Sequence, residues 1–265
     1  AKMTQDVVQA TTTAPEAVTA LLARPVTSSI GWPPGTRTDT KTLSLLQKSG
    51  VRTVALDNAA LLPPTNGGSS GISSAVLRTE SGPLAAVLTD RVLSSSFGNA
   101  ASSANEAVLA RQRFLADSGQ ITIDSPDSER IIALGPDPRW DPNSAVVGDI
   151  LGALRTSPWM RSATLAQLLA ATPKDSTRSL SPVTAGSRRA SLSPAYLQRV
   201  QNTQDNLEVF SAILDQPGQL TEKYSSALLR TTSGAWRIDR DGGTALLNSI
   251  DKELSNEMGL VRVLS

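Results

Sequence analysis

The sequence predicts an α/β fold: a partial, (β/α) barrel-like parallel sheet followed by a helical subdomain. Three observations predict it. Short β-branched runs alternate with helix-spaced apolar runs from residue 26 to about residue 170, the pattern of strands joined by helical crossovers. Within that stretch, residues 26–57 read as a complete strand, turn, helix and strand, and so short a crossover should be right-handed and join parallel strands. Beyond Pro194 the strand signal gives way to apolar residues at helical spacing, as far as Met258. The expected division is an α/β domain over 1–171, a Ser/Thr-rich linker over 172–193, a helical subdomain over 194–260 and the start of a further strand at 261–265.

The elements follow in order. Residues 4–22 read as a helix that Pro15 divides in two. A strand over 26–30 is stopped by Gly31-Trp32-Pro33-Pro34-Gly35, because proline offers no ladder N–H. Asp39 can N-cap a helix carrying Leu43, Leu45 and Leu46, and Gly50 stands where a helix-ending glycine belongs. The strand over 51–56 ends at Asp57. Runs over 74–79 and 83–88 read as two strands joined at Glu80-Ser81-Gly82, a hairpin or an excursion from the main sheet. Asp90 opens a short helix, and residues 101–117 form a clearer one that Gly119 stops. A strand over 130–134 leads into a proline-rich loop, where Asp141 should cap a helix with Pro142 in its first position. A short helix over 164–170 closes the domain. In the helical part, Pro194 starts one helix and residues 220–231 form a second. Asp241-Gly242-Gly243 breaks before a third, which Gly259 stops.

Composition excludes several function classes. The net charge of +1 gives no field to recruit nucleic acid or an anionic membrane. Cysteine and histidine are both absent. The chain therefore has no disulfide, no thiol nucleophile, no Ser–His–Asp triad and none of the commonest zinc ligands. No metal site and no cofactor are expected. No apolar run reaches the ~18 residues that span a bilayer, so this segment inserts in no membrane by itself. Aromatic residues are 3% of the chain, a thin supply for a sugar-stacking cleft.

In parallel α/β sheets, ligands sit beyond the carboxyl ends of the strands. Read that way, the strands deliver Trp32, Asp57, Asp90, Arg139 and Trp140 to one rim, with Asp137 and Asp141 beside the last two. Indoles, an arginine and carboxylates suit a sugar. Each also has an ordinary reading. Asp90 and Asp141 can be helix caps, Asp57 can bind turn amides, Trp32 and Trp140 can pack against the rim, and Arg139 can pair with a neighbouring aspartate. The catalytic alternative rests on Asp57 and Asp90 as a glycosidase pair.

Several stretches together resemble a known family: Gly31-Trp32-Pro33-Pro34-Gly35, Gly50-Val51 through Leu56, Val108 through Leu115, Pro138 through Pro142, Pro158-Trp159-Met160, and Ala227 through Arg230 with Ala235-Trp236-Arg237. The chain resembles the middle of large, uncharacterised, exported actinobacterial proteins of mycobacterial type. These carry a C-terminal membrane anchor and are commonly encoded beside the lipid II flippase of peptidoglycan synthesis. The resemblance implies an extracytoplasmic module of the cell envelope, tethered through parts outside this chain. Its partners would be cell-wall glycan or membrane proteins of envelope biogenesis. It also implies barrel strands before Ala1 and a β-sandwich after Ser265. More distantly, Trp32 through Gly35 followed by Gly50 through Asp57 is similar to the polysaccharide deacetylases and related (β/α)7 glycoside hydrolases. The absence of histidine departs from the deacetylase metal site, so the resemblance implies a degenerate, non-catalytic barrel used for binding or scaffolding. The alternative is a metal-independent glycan hydrolase or transferase.

Overall fold

A computed structural model of the chain describes residues 2–26, 29–33, 38–63, 71–98, 104–136, 140, 143–173, 176–183, 192–214 and 218–264. The chain divides into two compact units: residues 18–183, built on a sheet, and residues 1–17 with 184–265, built from helices.

The sheet has five strands, ordered β1-β2-β4-β3-β5. They are β1 (Ile30–Gly31), β2 (Thr53–Asp57), β3 (Ser74–Thr79), β4 (Gly82–Thr89) and β5 (Thr177–Arg178). All pairings are parallel except β3 with β4, so the α/β, mainly parallel architecture read from the sequence is what the chain adopts. β2 is buried along its length up to Asp57, as a central strand covered on both faces must be. The helix expected after β1 is α2 (Thr40–Lys48), capped by the Asp39 carboxylate on the Thr42 amide at 2.7 Å. It ends in a Schellman motif: Gly50, at φ +101°, donates to Gln47 O, and Val51 donates to Leu46 O. Leu43 and Leu46 then pack with Val54, Leu56, Leu77, Leu84 and Leu88 into the first core. A second core gathers α3 (Arg91–Gly98), α4 (Ala104–Asp124) and α5 (Ser144–Thr156) around Leu93, Phe114 and Ile150. The short α6 (Leu165–Ala170) carries a capping box between Thr164 and Gln167.

In the helical unit, α7 (Pro194–Ile213), α8 (Gly218–Thr231) and α9 (Arg240–Leu264) share a core of Val200, Phe210, Tyr224, Leu228, Leu247 and Leu254. The Tyr196 hydroxyl reaches the Thr231 carbonyl at 2.9 Å.

Several expectations need correction. α1 (Lys2–Leu22) runs unbroken through Pro15, and residues 1–17 group with the helical unit rather than the sheet. α4 passes Gly119, because a mid-helix glycine costs only ~1 kcal/mol and Ile121 beyond it packs on the second core. The helix expected to begin at Asp141 with Pro142 is capped instead by Asn143, whose Oδ1 accepts from Ala145 and Val146. Asp241-Gly242-Gly243 is the first turn of α9, not a break: Asp239 caps it, and a Cβ on Gly243 would lie 2.8 Å from Trp236 Cγ. The strand expected at 261–265 is helix as far as Leu264, past Gly259. Short apolar runs read equally well either way. Part of the expected linker over 172–193 belongs to the sheet. β5 pairs with β3, Leu180 bridges Leu61, and Ser181 donates to Ala60 O. These links are made by the backbone, so the polar side chains that suggested a connector do not oppose them.

Candidate functional site

The carboxyl ends of β2 and β4 lie side by side, with Asp57 in register with Thr89. β3 runs the other way, so its amino end, preceded by Gly71-Ile72-Ser73, reaches the same rim. Residues 131–133 lie extended across it. Ile131 bridges Ile72, Ala133 bridges Thr89, and the Asp90 amide donates to Ala133 O. The strand expected over 130–134 is therefore two isolated parallel bridges rather than a ladder.

At this rim lies a cavity of about 410 Å³. Leu61, Ile72, Leu88 and Ile132 give it apolar walls, and its polar lining comes from Asn58, Ser73, Asp90, Arg130 and Arg178. Arg178 is clamped: its Nε and Nη2 both donate to the Leu62 carbonyl. Burial pushes its guanidinium below the usual arginine value, yet guanidinium stays charged in proteins. The Arg130 side chain makes no ion pair among the described residues. Gly71, at φ +67°, lies against it: a Cβ there would stand 3.1 Å from Arg130 Cγ.

The structure brings only part of the expected set to this cavity. Asp90 lines it, while one carboxylate oxygen accepts from the Leu93 amide at 2.9 Å as the cap of α3. Asp57 is not a lining residue, and its Oδ1 accepts from the Ala59 amide at 2.8 Å. Trp32 also lies apart. Its ring packs where Gly135 passes, 3.2 Å from the site of a Cβ there, and the residue is 45% exposed. Trp140 is half-buried and not part of the lining. Arg139, Asp137 and Asp141 lie outside the described residues.

Arg130, Arg178 and Ser73 were missed from the sequence for identifiable reasons. Arg130 and Ser73 stand at the starts of extended segments, and the rule watches their ends. Arg178 sits in the stretch taken for a connector. The signal for Ser73 was present: recognising the 74–89 hairpin implies that β3 is reversed. Among the described residues no three Asp, Glu, His or Cys side chains cluster as metal ligands, and no helix is long and apolar enough to cross a membrane.

A mainly parallel sheet with a cavity at its rim places the chain in the α/β class. The chain is similar to an α-mannosidase from Enterococcus faecalis, with a TM-score of 0.60 and 14% identity, over 96% of this chain and 32% of that one. A 4-α-glucanotransferase from Thermococcus litoralis gives a TM-score of 0.43 and 10% identity, over 89% of this chain and 39% of that one. This chain thus spans about a third of the mannosidase. No curated protein sequence matches it. The chain belongs to a family of unknown function, DUF6049, whose model matches residues 1–264.

Proposed function

We propose that this chain is a non-catalytic module of the cell envelope, a carbohydrate-enzyme-like barrel used for binding or scaffolding in cell-wall biogenesis. The observation that carries this reading is the state of the two candidate carboxylates. Asp57 and Asp90 each commit an oxygen to a main-chain amide, and only Asp90 lines the rim cavity. A glycosidase needs two carboxyl groups facing one bond, ~5–5.5 Å apart to retain configuration or ~6.5–9.5 Å to invert it. One of the two must also be held protonated while the other stays ionised. A binding module needs only the cavity, its apolar walls and its polar groups. The resemblance to exported actinobacterial proteins suggests an extracytoplasmic location, with cell-wall glycan or envelope-biogenesis membrane proteins as partners.

The fold likeness to an α-mannosidase favours a second reading, a metal-independent hydrolase or transferase using Asp57 and Asp90. One experiment separates the two. The chain is incubated with insoluble peptidoglycan and with arabinogalactan, and both retained protein and released reducing ends are measured. Retention without reducing ends is expected. Release by the wild type that disappears in Asp57→Asn or Asp90→Asn would establish the enzyme instead.

A further inference from the structure

The rim cavity holds more positive charge than a neutral sugar requires. Two arginines and one aspartate line it, and the aspartate already caps a helix. Neither arginine has a carboxylate partner among the described residues. Arg178 has a specific geometry. A guanidinium carries five N–H donors, and Arg178 spends its Nε–H and one Nη2–H on the Leu62 carbonyl. That contact fixes the plane of the group. It leaves the two hydrogens of Nη1 and the second of Nη2, the end-on edge that pairs with two oxygens of an anion. Arg130 adds a second cation to the same cavity. Asn58 and Ser73 supply the kind of neutral donors and acceptors that sugar hydroxyls use, and Leu61, Ile72 and Ile132 supply apolar wall for a ring face.

Resting on the glycan-binding reading, we infer that the ligand is an acidic sugar, its anionic group held between Arg178 and Arg130 and its hydroxyls toward Asn58, Ser73 and Asp90. A carboxylate and a phosphate share the chemistry that would be recognised. Arg178 acts as the pre-oriented fork, since its clamp removes rotamer freedom before the ligand arrives. Arg130 acts as the second charge.

The test titrates the full chain, followed by NMR, with glucuronate, glucose and glucose 6-phosphate. Glucose and glucuronate differ only at C6, a hydroxymethyl against a carboxylate. Glucuronate should bind about 10-fold or more tightly than glucose, as charge-assisted hydrogen bonds to a fixed fork require. Its binding should weaken as salt is raised. Arg178→Gln should remove that preference. Arg130→Gln should weaken glucuronate by about 3-fold or more, and by more than it weakens glucose. Because Arg130 is exposed and makes no ion pair among the described residues, its variant tests the idea even if Arg178→Gln loosens β5. Glucose 6-phosphate binding more tightly than glucuronate, with the same dependence on the two arginines, would support the inference with phosphate as the anion. Equal binding of glucose and glucuronate, unmoved by Arg130→Gln, would overturn the acidic ligand and leave the glycan reading intact. Binding of none of the three sugars would overturn both.

Discussion

Each unit of the molecule carries a groove with arginine in it, and the arginines are spent differently. In the helical unit a groove of about 260 Å³ runs between α7 and α9, lined by Arg199, Thr203, Asp251 and Ser255 among others. There Arg199 bonds Asn248 at 2.7 Å and pairs with Asp251, and Thr203 donates to the other oxygen of Asp251. Arg199, Thr203 and Asp251 are thus bonded within the helical unit, and the Arg199–Asp251 and Thr203–Asp251 contacts tie α7 to α9. In the sheet unit, among the described residues, the Arg178 side chain bonds only the Leu62 carbonyl and the Arg130 side chain makes no hydrogen bond or ion pair. A groove recruits a ligand where its own groups leave bonding capacity unused. By that criterion the sheet rim, rather than the helical groove, is the better suited of the two to take the proposed ligand.

The largest effect that bears on this contrast comes from the rim itself. Gly135 passes so close to the buried Thr89 that an added Cβ would lie 2.4 Å from its Cγ2. Thr89 is β-branched and held between β2 and the 131–133 segment, so it has little room to yield. Gly135→Ala should cost about 1–3 kcal/mol and displace the segment that meets Asp90. Lower thermal stability together with lost glucuronate binding is expected. An alanine variant that melts and binds like the wild type would show that the rim is not built around that contact. A smaller effect is expected from Asp251→Asn. The Arg199–Asp251 pair is well exposed, 45% and 37% at the side chains, so its loss should cost under about 1 kcal/mol. The variant should nevertheless acquire weak glucuronate perturbations near Arg199 that the wild type lacks. If it does not, spent charge is not what silences the helical groove. The smallest effect is on alkaline stability. Burial raises the hydroxyl pKa of Tyr196 and of Tyr224 above the usual value of 10.0. At Tyr196 the Thr231 side chain and the Arg199 charge act the other way, while at Tyr224 Glu257 and Glu253 add to the rise. A raised folded pKa leaves stability intact below about pH 10 and drains it as pH climbs through the folded value. Both tyrosines lie in the helical unit, so helical amides should lose exchange protection above pH 10 before sheet amides do.

The sheet was legible where side chains and backbone agree. Val54 and Leu56 read as a buried strand and are one, and Asp39 and Gly50 bracket α2 as their chemistry dictates. Glycine misled where tertiary packing overruled it. Gly119 and Gly259 continue their helices, and Gly243 is helical because Trp236 occupies the space a side chain would need. The rim was half legible. Asp57 and Asp90 stand at strand ends as expected, and each caps the turn that follows, the ordinary alternative for both. Arg178 was invisible because a two-residue strand has no hydrophobic period to read.

The clamp of Arg178 on Leu62 has a consequence for the sheet edge. β5 is held to its neighbours by few bonds, and this guanidinium fastens it to the Leu62 carbonyl, next to the Leu61–Leu180 bridge. The same side chain is both rivet and fork. Any anion that settles on the fork restrains the rivet, so occupancy of the groove and closure of the edge belong to one equilibrium. The amide of Leu62, which donates to Ser179 O, reports on both: its rate of deuterium uptake measures how often the edge peels away.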